Sequence, residues 1–194
     1  MPTKQRIARV DKVLSHRLPD LHVVLERLTN THNASAVVRT CDAAGVLNVD
    51  LIYPENEVFP VNKAISTRAE KWLHLVRYSS TAECLLLLKE QGFCIAATHL
   101  GPDSIPYTEI DYAQPIALVF GNESDGISQE GMGLADHIIQ IPMFGMAQSL
   151  NLSVSVGVML YEALRQRKQA AYCPSLSPEE FTFFKQKWLN QDTE

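Results

Sequence analysis

Between Lys89 and Arg165 the chain has not one lysine or arginine, so the middle of the sequence supplies no charge with which to grip a polyanion. Cysteine is sparse as well: Cys41, Cys84, Cys94 and Cys173 stand apart with no CxxC pair. That spacing suggests neither a zinc cage nor a disulfide framework, and no metal is expected. No uncharged apolar run reaches membrane length and no signal peptide opens the chain, so a reduced, cytoplasmic protein without a membrane partner is expected. There is no G-x-G-x-x-G, which counts against an ordinary dinucleotide site. Repeats and low-complexity tracts are also lacking.

What is present can bury one sizeable core. The chain has 194 residues, 46% of them hydrophobic, and one domain over residues 1–194 is expected, with helical extensions at about 1–18 and 172–194. The net charge is −5, yet Lys4, Arg6, Arg9, Lys12 and Arg17 crowd the first seventeen residues against a single acid, Asp11. Basic residues resume at Arg165, Arg167 and Lys168. A polyanion would be held by these ends and by the region of Lys63, Arg68, Lys71 and Arg77; solvated faces explain the same pattern equally well.

Apolar periodicity orders the elements. Ile7, Val10, Leu14 and Leu18 form the stripe of an N-terminal helix ending near Pro19. LHVVLERL (21–28) reads as a buried strand, followed by a helix starting near Asn33 as its cap. VDLIY, a helix over 62–72, the strand HLVRY and a helix over 81–91 come next. FCIAATHL, PIALVFG and HIIQIPM are three further apolar strands. Strand and helix alternate, so the fold class is α/β with a mainly parallel sheet flanked by helices. Near the C-terminus Ser177-Pro178-Glu179-Glu180 combines a cap serine, a first-turn proline and a capping-box glutamate. The helix it opens has an apolar face of Phe181, Phe184, Trp188 and Leu189, which must dock on this chain or on a second subunit.

In such a sheet ligands bind beyond the carboxyl ends of the strands, which directs attention to three stretches. The loop Gly121-Asn122-Glu123-Ser124-Asp125-Gly126-Ile127-Ser128 has G-x-x-x-x-G spacing, but Ile127 stands where a phosphate-binding loop needs lysine, and Glu123 and Asp125 repel phosphate. It suits a ligand with a hydroxyl or a positive centre. In NASAVVRTCDAAGV (33–46), Arg39 stands among apolar and small residues, which favours an anionic partner; a pair with Asp42 on the same helix is the competing assignment. In IPMFGMAQSLNLSVSVGVMLYEALRQR (141–167), residues 151–158 alternate like a strand but run without a turn into strong helix material. One helix from about Asn151 to Gln169, capped by Asn151 or Ser149, reconciles the two. Ser153 and Gly157 then share a face on which another backbone is expected to pack very closely.

NASAVVRTCDAAGV, ALVFGNESDGIS and IPMFGMAQSLNLSVSVGVMLYEALRQR resemble, in order and spacing, the three motifs of the SPOUT methyltransferases, and within them the TrmH-type 2'-O-ribose methyltransferases. The resemblance covers roughly residues 20 to 170, and three long motifs are far more specific than one. It extends to the two short terminal helices, without a separate N-terminal RNA-binding domain. It implies a deep C-terminal trefoil knot, S-adenosylmethionine as methyl donor, a homodimer, and tRNA as substrate, methylated on the ribose of the D-loop guanosine at position 18. Asn33, Arg39, Glu123, Ser149 and Asn151 stand at the family's catalytic motif positions. Thr98, Gly121, Ile141, Met143 and Leu150 would cradle the donor. Lys4, Arg6, Arg9, Lys12, Arg17, Arg165 and Arg167 are the candidates for RNA contact. Two alternatives stay open, methylation of another tRNA or rRNA ribose and a non-catalytic RNA-binding or chaperone role.

Overall fold

A computed structural model describes residues 2–54 and 58–190 of the chain. Seven parallel strands form one sheet: β1 (Leu18–Glu26), β2 (Val46–Ile52), β3 (His74–Tyr78), β4 (Cys94–Thr98), β5 (Ile105–Pro106), β6 (Ile116–Phe120) and β7 (His137–Gln140), in the spatial order β3-β2-β1-β6-β4-β7-β5. The strands are short and apolar because helices cover both faces. Residues on β1 alternate between two cores. Leu21, Val23 and Leu25 face α2 (Thr31–Ala43) and α5 (Leu152–Gln169), while Val24 faces α3 (Thr81–Glu90) and the short α4 (Gln129–Leu134).

Several boundaries depart from the periodicity. β1 begins at Leu18, so this leucine leaves the stripe of α1 (Lys4–Leu14) and enters the sheet. α2 is capped by Asn30, whose side chain accepts from the amides of His32 and Asn33; Asn33 is therefore a first-turn residue whose side chain takes no part in the cap. The expected helix over 62–72 is a run of turns ending in a single 3-10 turn at Ala69–Trp72, with Thr67 and Arg68 in the left-handed region. Two such residues in succession cannot continue a right-handed helix. α5 matches its reading closely: it opens on Asn151, which accepts from Ser153 N, and runs to Gln169.

The ends of the chain pack on each other. α6 (Pro178–Asn190) starts with the reciprocal Ser177–Glu180 capping bonds and docks on α1, so Phe184 and Trp188 share a small core with Val10, Leu14 and Leu47. Arg17 and Arg167 correct the sequence-based list of RNA contacts. Each is only 2% exposed. Arg17 bonds to Asp42 and to the carbonyls of Val46 and Trp72, with its guanidinium over the Trp188 ring. Arg167 bonds to Asp20 at 2.6 Å and to the carbonyls of Tyr112 and Gln114. Both hold the terminal segments to the sheet, and neither offers its charge to a partner.

Candidate active site

The carboxyl ends of β4, β6 and β7 open into a cavity of about 480 Å³, a size ordinary for a small-molecule site. The loop after β6 is its most constrained wall. Asn122 and Gly126 exchange both backbone hydrogen bonds at 2.9 Å, and the Asn122 side chain accepts from Ser124 N and donates to the Arg27 carbonyl. The loop thus spends amides on itself that a phosphate loop would turn outward. Gly121 allows this closure, since a Cβ there would lie 2.1 Å from the Gly126 carbonyl. Behind the loop, buried Glu26 accepts from the Ser128 amide at 2.9 Å, the Ser128 hydroxyl at 2.6 Å and the Thr81 hydroxyl. Glu26 was not legible as a site residue: on the sequence it is only a charged residue inside the strand read over 21–28, whereas β1 ends at it.

One network crosses the mouth of the cavity and joins all three motifs. The Asn33 amide donates to Glu123 Oε1 at 3.2 Å, and the Asn33 carbonyl oxygen accepts from Asn151 Nδ2 at 2.9 Å. The other Glu123 oxygen accepts from Thr29 N at 3.2 Å and from its hydroxyl at 3.4 Å. Asn151 Oδ1 in turn accepts from Ser153. Asn33, Glu123, Ser149 and Asn151 all line the cavity.

Arg39 does not. It lies six residues beyond Asn33 on α2 and is exposed, so the expected burial among apolar neighbours is not found. The competing pair with Asp42 is not made either, because Asp42 is taken by Arg17. Among the described residues Arg39 has no hydrogen-bond or ion-pair partner.

The five residues predicted to cradle a donor, Thr98, Gly121, Ile141, Met143 and Leu150, all line the cavity, joined by His99, Leu100 and Gln140, which lie outside the three motifs, and by Ser155 and Met159, which the third motif contains without marking them as site residues. His99 and Leu100 carried one usable signal, their place at the carboxyl end of the strand FCIAATHL. Leu100, Ile141, Met143 and Leu150 supply apolar walls for a flat ring. Glu123 and Asp125 supply carboxylates with no cationic partner among the described residues, fitted to ligand hydroxyls or a positive centre. S-adenosylmethionine, an adenosine joined to a sulfonium, has these features. No cysteine offers a nucleophile at the cavity: burial pushes the Cys41 thiol up to about 12 and raises Cys84 and Cys94 as well, and Cys173 is not in the lining.

Gly157 is not the tight crossing expected of it. A Cβ there would meet only the Thr40 methyl, at 3.7 Å, which is ordinary contact between α5 and α2. Of the remaining candidates for RNA contact, Lys4, Arg9 and Lys12 are exposed on α1, Arg6 donates to the Trp188 carbonyl, and Arg165 is exposed but paired with Glu162 at 2.8 Å. Among the described residues, no helix is long and apolar enough to cross a membrane, and no group of three or more His, Cys, Asp or Glu residues is placed to hold a metal.

Known proteins share this fold. The chain is 42% identical over 191 residues to a tRNA (guanosine(18)-2'-O)-methyltransferase of Aquifex aeolicus, covering 97% of this chain and 90% of that one. It superposes on the crystal structure of the A. aeolicus TrmH/SpoU tRNA modifying enzyme with a TM-score of 0.92, at 42% identity and 98% coverage of both chains. It also matches the SpoU methyltransferase AviRb of Streptomyces viridochromogenes, solved in complex with the cofactor AdoMet, with a TM-score of 0.69 and 28% identity over 78% of this chain and 59% of that one. Residues 20–161, the span that builds the sheet, the cavity and the Asn33 network, match the SpoU rRNA Methylase family, and the chain belongs to that family.

Proposed function

We propose that the protein transfers a methyl group from S-adenosylmethionine to the ribose 2'-hydroxyl of guanosine 18 in the D-loop of tRNA. The observation that carries this is the Glu123–Asn33–Asn151 network at the mouth of a donor-sized cavity, in a chain 42% identical to an enzyme named for that reaction. The donor supplies a methyl on a positively charged sulfur that departs as a neutral thioether, so an O–C bond forms as the S–C bond breaks. The chain's own residues align the hydroxyl and help its proton leave. A guanidinium group is a poor proton acceptor, so Arg39 is given an orienting role. Bound to the substrate phosphate, it orients the hydroxyl and favours its deprotonation. Asn33 positions ribose or phosphate, with Glu123 and Asn151 fixing its amide on both sides, and Ser149 holds the loop before α5.

The reaction needs two subunits in this reading. Arg39 stands outside the cavity of its own chain, and an apolar strip of Phe144 (98% exposed), Met146 (101%), Val154 (49%) and Tyr161 (57%) runs along the loop and α5. A second copy covering that strip brings an Arg39 to the neighbouring site. We further propose that residues 1–194 form one cytoplasmic methyltransferase unit, and that the chain after β7 is threaded in a deep trefoil knot. The stretch from Ile141 to Leu152 and the β6 loop line one cavity, which is where such a threading would cross.

The test is incubation of the purified protein with labelled S-adenosylmethionine and unmodified tRNA, followed by mapping of the modified nucleotide. Label at guanosine 18 is expected. Label at another position, or in rRNA only, replaces the proposed substrate, and no transfer at all favours the non-catalytic RNA-binding alternative.

A further inference from the structure

The loop over residues 62–72 carries a charge that the fold does not explain. Thr67 and Arg68 have φ of 52° and 62°, a region that residues with a Cβ rarely occupy and that glycine takes freely. The backbone there is tightly held. The Arg68 amide donates to the Lys63 carbonyl at 3.1 Å and to the Ser66 hydroxyl at 3.2 Å, which closes the turn and sets Lys63 and Arg68 side by side. Both side chains are exposed, and among the described residues neither has a hydrogen-bond or ion-pair partner.

The loop lies along the side of α2 that carries Arg39. At one end the Asn62 amide donates to the Ser35 hydroxyl at 2.8 Å. At the other, Arg17 bridges Asp42 and the Trp72 carbonyl, and Ala69 between them is buried in the core with Ala34 and Val38. Ser35, Arg39 and Asp42 are one helical stripe, so Arg39 stands between the two attachments. Among the described residues, Asp42 of this face is engaged by Arg17, and Glu70 accepts from the Ser66 hydroxyl through one carboxylate oxygen.

We propose that Lys63 and Arg68 form, with Arg39, a corner that grips the phosphodiester backbone of the substrate RNA beside the methylated ribose. The left-handed turn fixes the direction in which Arg68 presents its charge. This rests on the proposed reaction with tRNA.

Lys63→Ala and Arg68→Gly test it, because glycine suits the left-handed backbone and removes only the cation. Binding of an unmodified tRNA transcript is measured against salt, alongside donor affinity by calorimetry and the melting temperature. Each variant is expected to raise the Kd for tRNA about three- to tenfold and to lower the slope of log Kd against log salt by about one contact's worth, ~0.7–0.9. Donor affinity and melting temperature should match the wild type, and Arg68→Lys should restore much of the loss. Wild-type Kd and slope in both variants would overturn the corner, as would a loss in Arg68→Gly that Arg68→Lys leaves unrepaired. A wild-type protein that binds tRNA without methylating it contradicts the proposed reaction alone, since the binding comparison still decides on the corner. Failure of the wild type to bind tRNA overturns both.

Discussion

Asn33 is the residue on which the site turns, because its one amide group joins Glu123 to Asn151, whose sequence positions lie far from its own and from each other. Asn33→Ala removes both bonds and should lower stability by about 1–3 kcal/mol. With the flanking loops released, methyl transfer should fall on the order of a hundredfold. A near-normal kcat in a folded variant would show that the bridge only supports the helix. Arg39→Ala should cut transfer about a hundredfold or more while donor binding by calorimetry stays at the wild-type level, since Arg39 does not line the cavity; unimpaired turnover removes it from the mechanism. The resemblance to known motifs made Asn33, Glu123 and Asn151 legible, but not their bonding. Arg17 and Arg167 were misread because a charge count does not say which way a side chain points. Their burial depends on carbonyls and acids brought in from elsewhere in the chain.

At the scale of elements, the glycines of the β6 loop and of α5 make opposite predictions. Gly121→Ala drives a methyl into the Gly126 carbonyl, so the loop must shift; donor affinity should drop at least tenfold by calorimetry, and an unchanged Kd would remove this loop from the donor site. Gly157→Ala meets only the Thr40 methyl and replaces the weakest ordinary helix former, so unfolding by urea should show a gain of up to about 1 kcal/mol. A loss there would restore the close crossing suggested by the small residues. The strands and α5 were readable because each satisfies one period of apolar residues. The 62–72 stretch was not, since its apolar residues fit a helix while its backbone is bent by attachments to Ser35 and Arg17 that no local pattern records.

Taken whole, the molecule is closed by its own ends. Residues 1–17 carry Lys4, Arg6, Arg9, Lys12 and Arg17 against a single acid, but they include Val10 and Leu14 of the terminal core and the buried Arg17. Truncating them would expose Trp188 and strand Asp42, at a stability cost on the order of 3 kcal/mol or more, so it is a poor probe of RNA contact. Replacing Lys4, Arg9 and Lys12 with glutamine leaves that core intact. The triple variant should bind tRNA more weakly with a shallower salt dependence, and an unchanged slope would mark α1 as a solvated face. The parallel α/β class was legible from alternation alone, whereas the sheet order and the mutual cover of α1 and α6 depend on contacts between distant segments. The most direct test bears on the reacting atom. A tRNA carrying 2'-deoxyguanosine at position 18 should accept no methyl from labelled S-adenosylmethionine while binding nearly as well as its ribose counterpart; methyl transfer to that nucleotide would mean the base, not the 2'-oxygen, is the target.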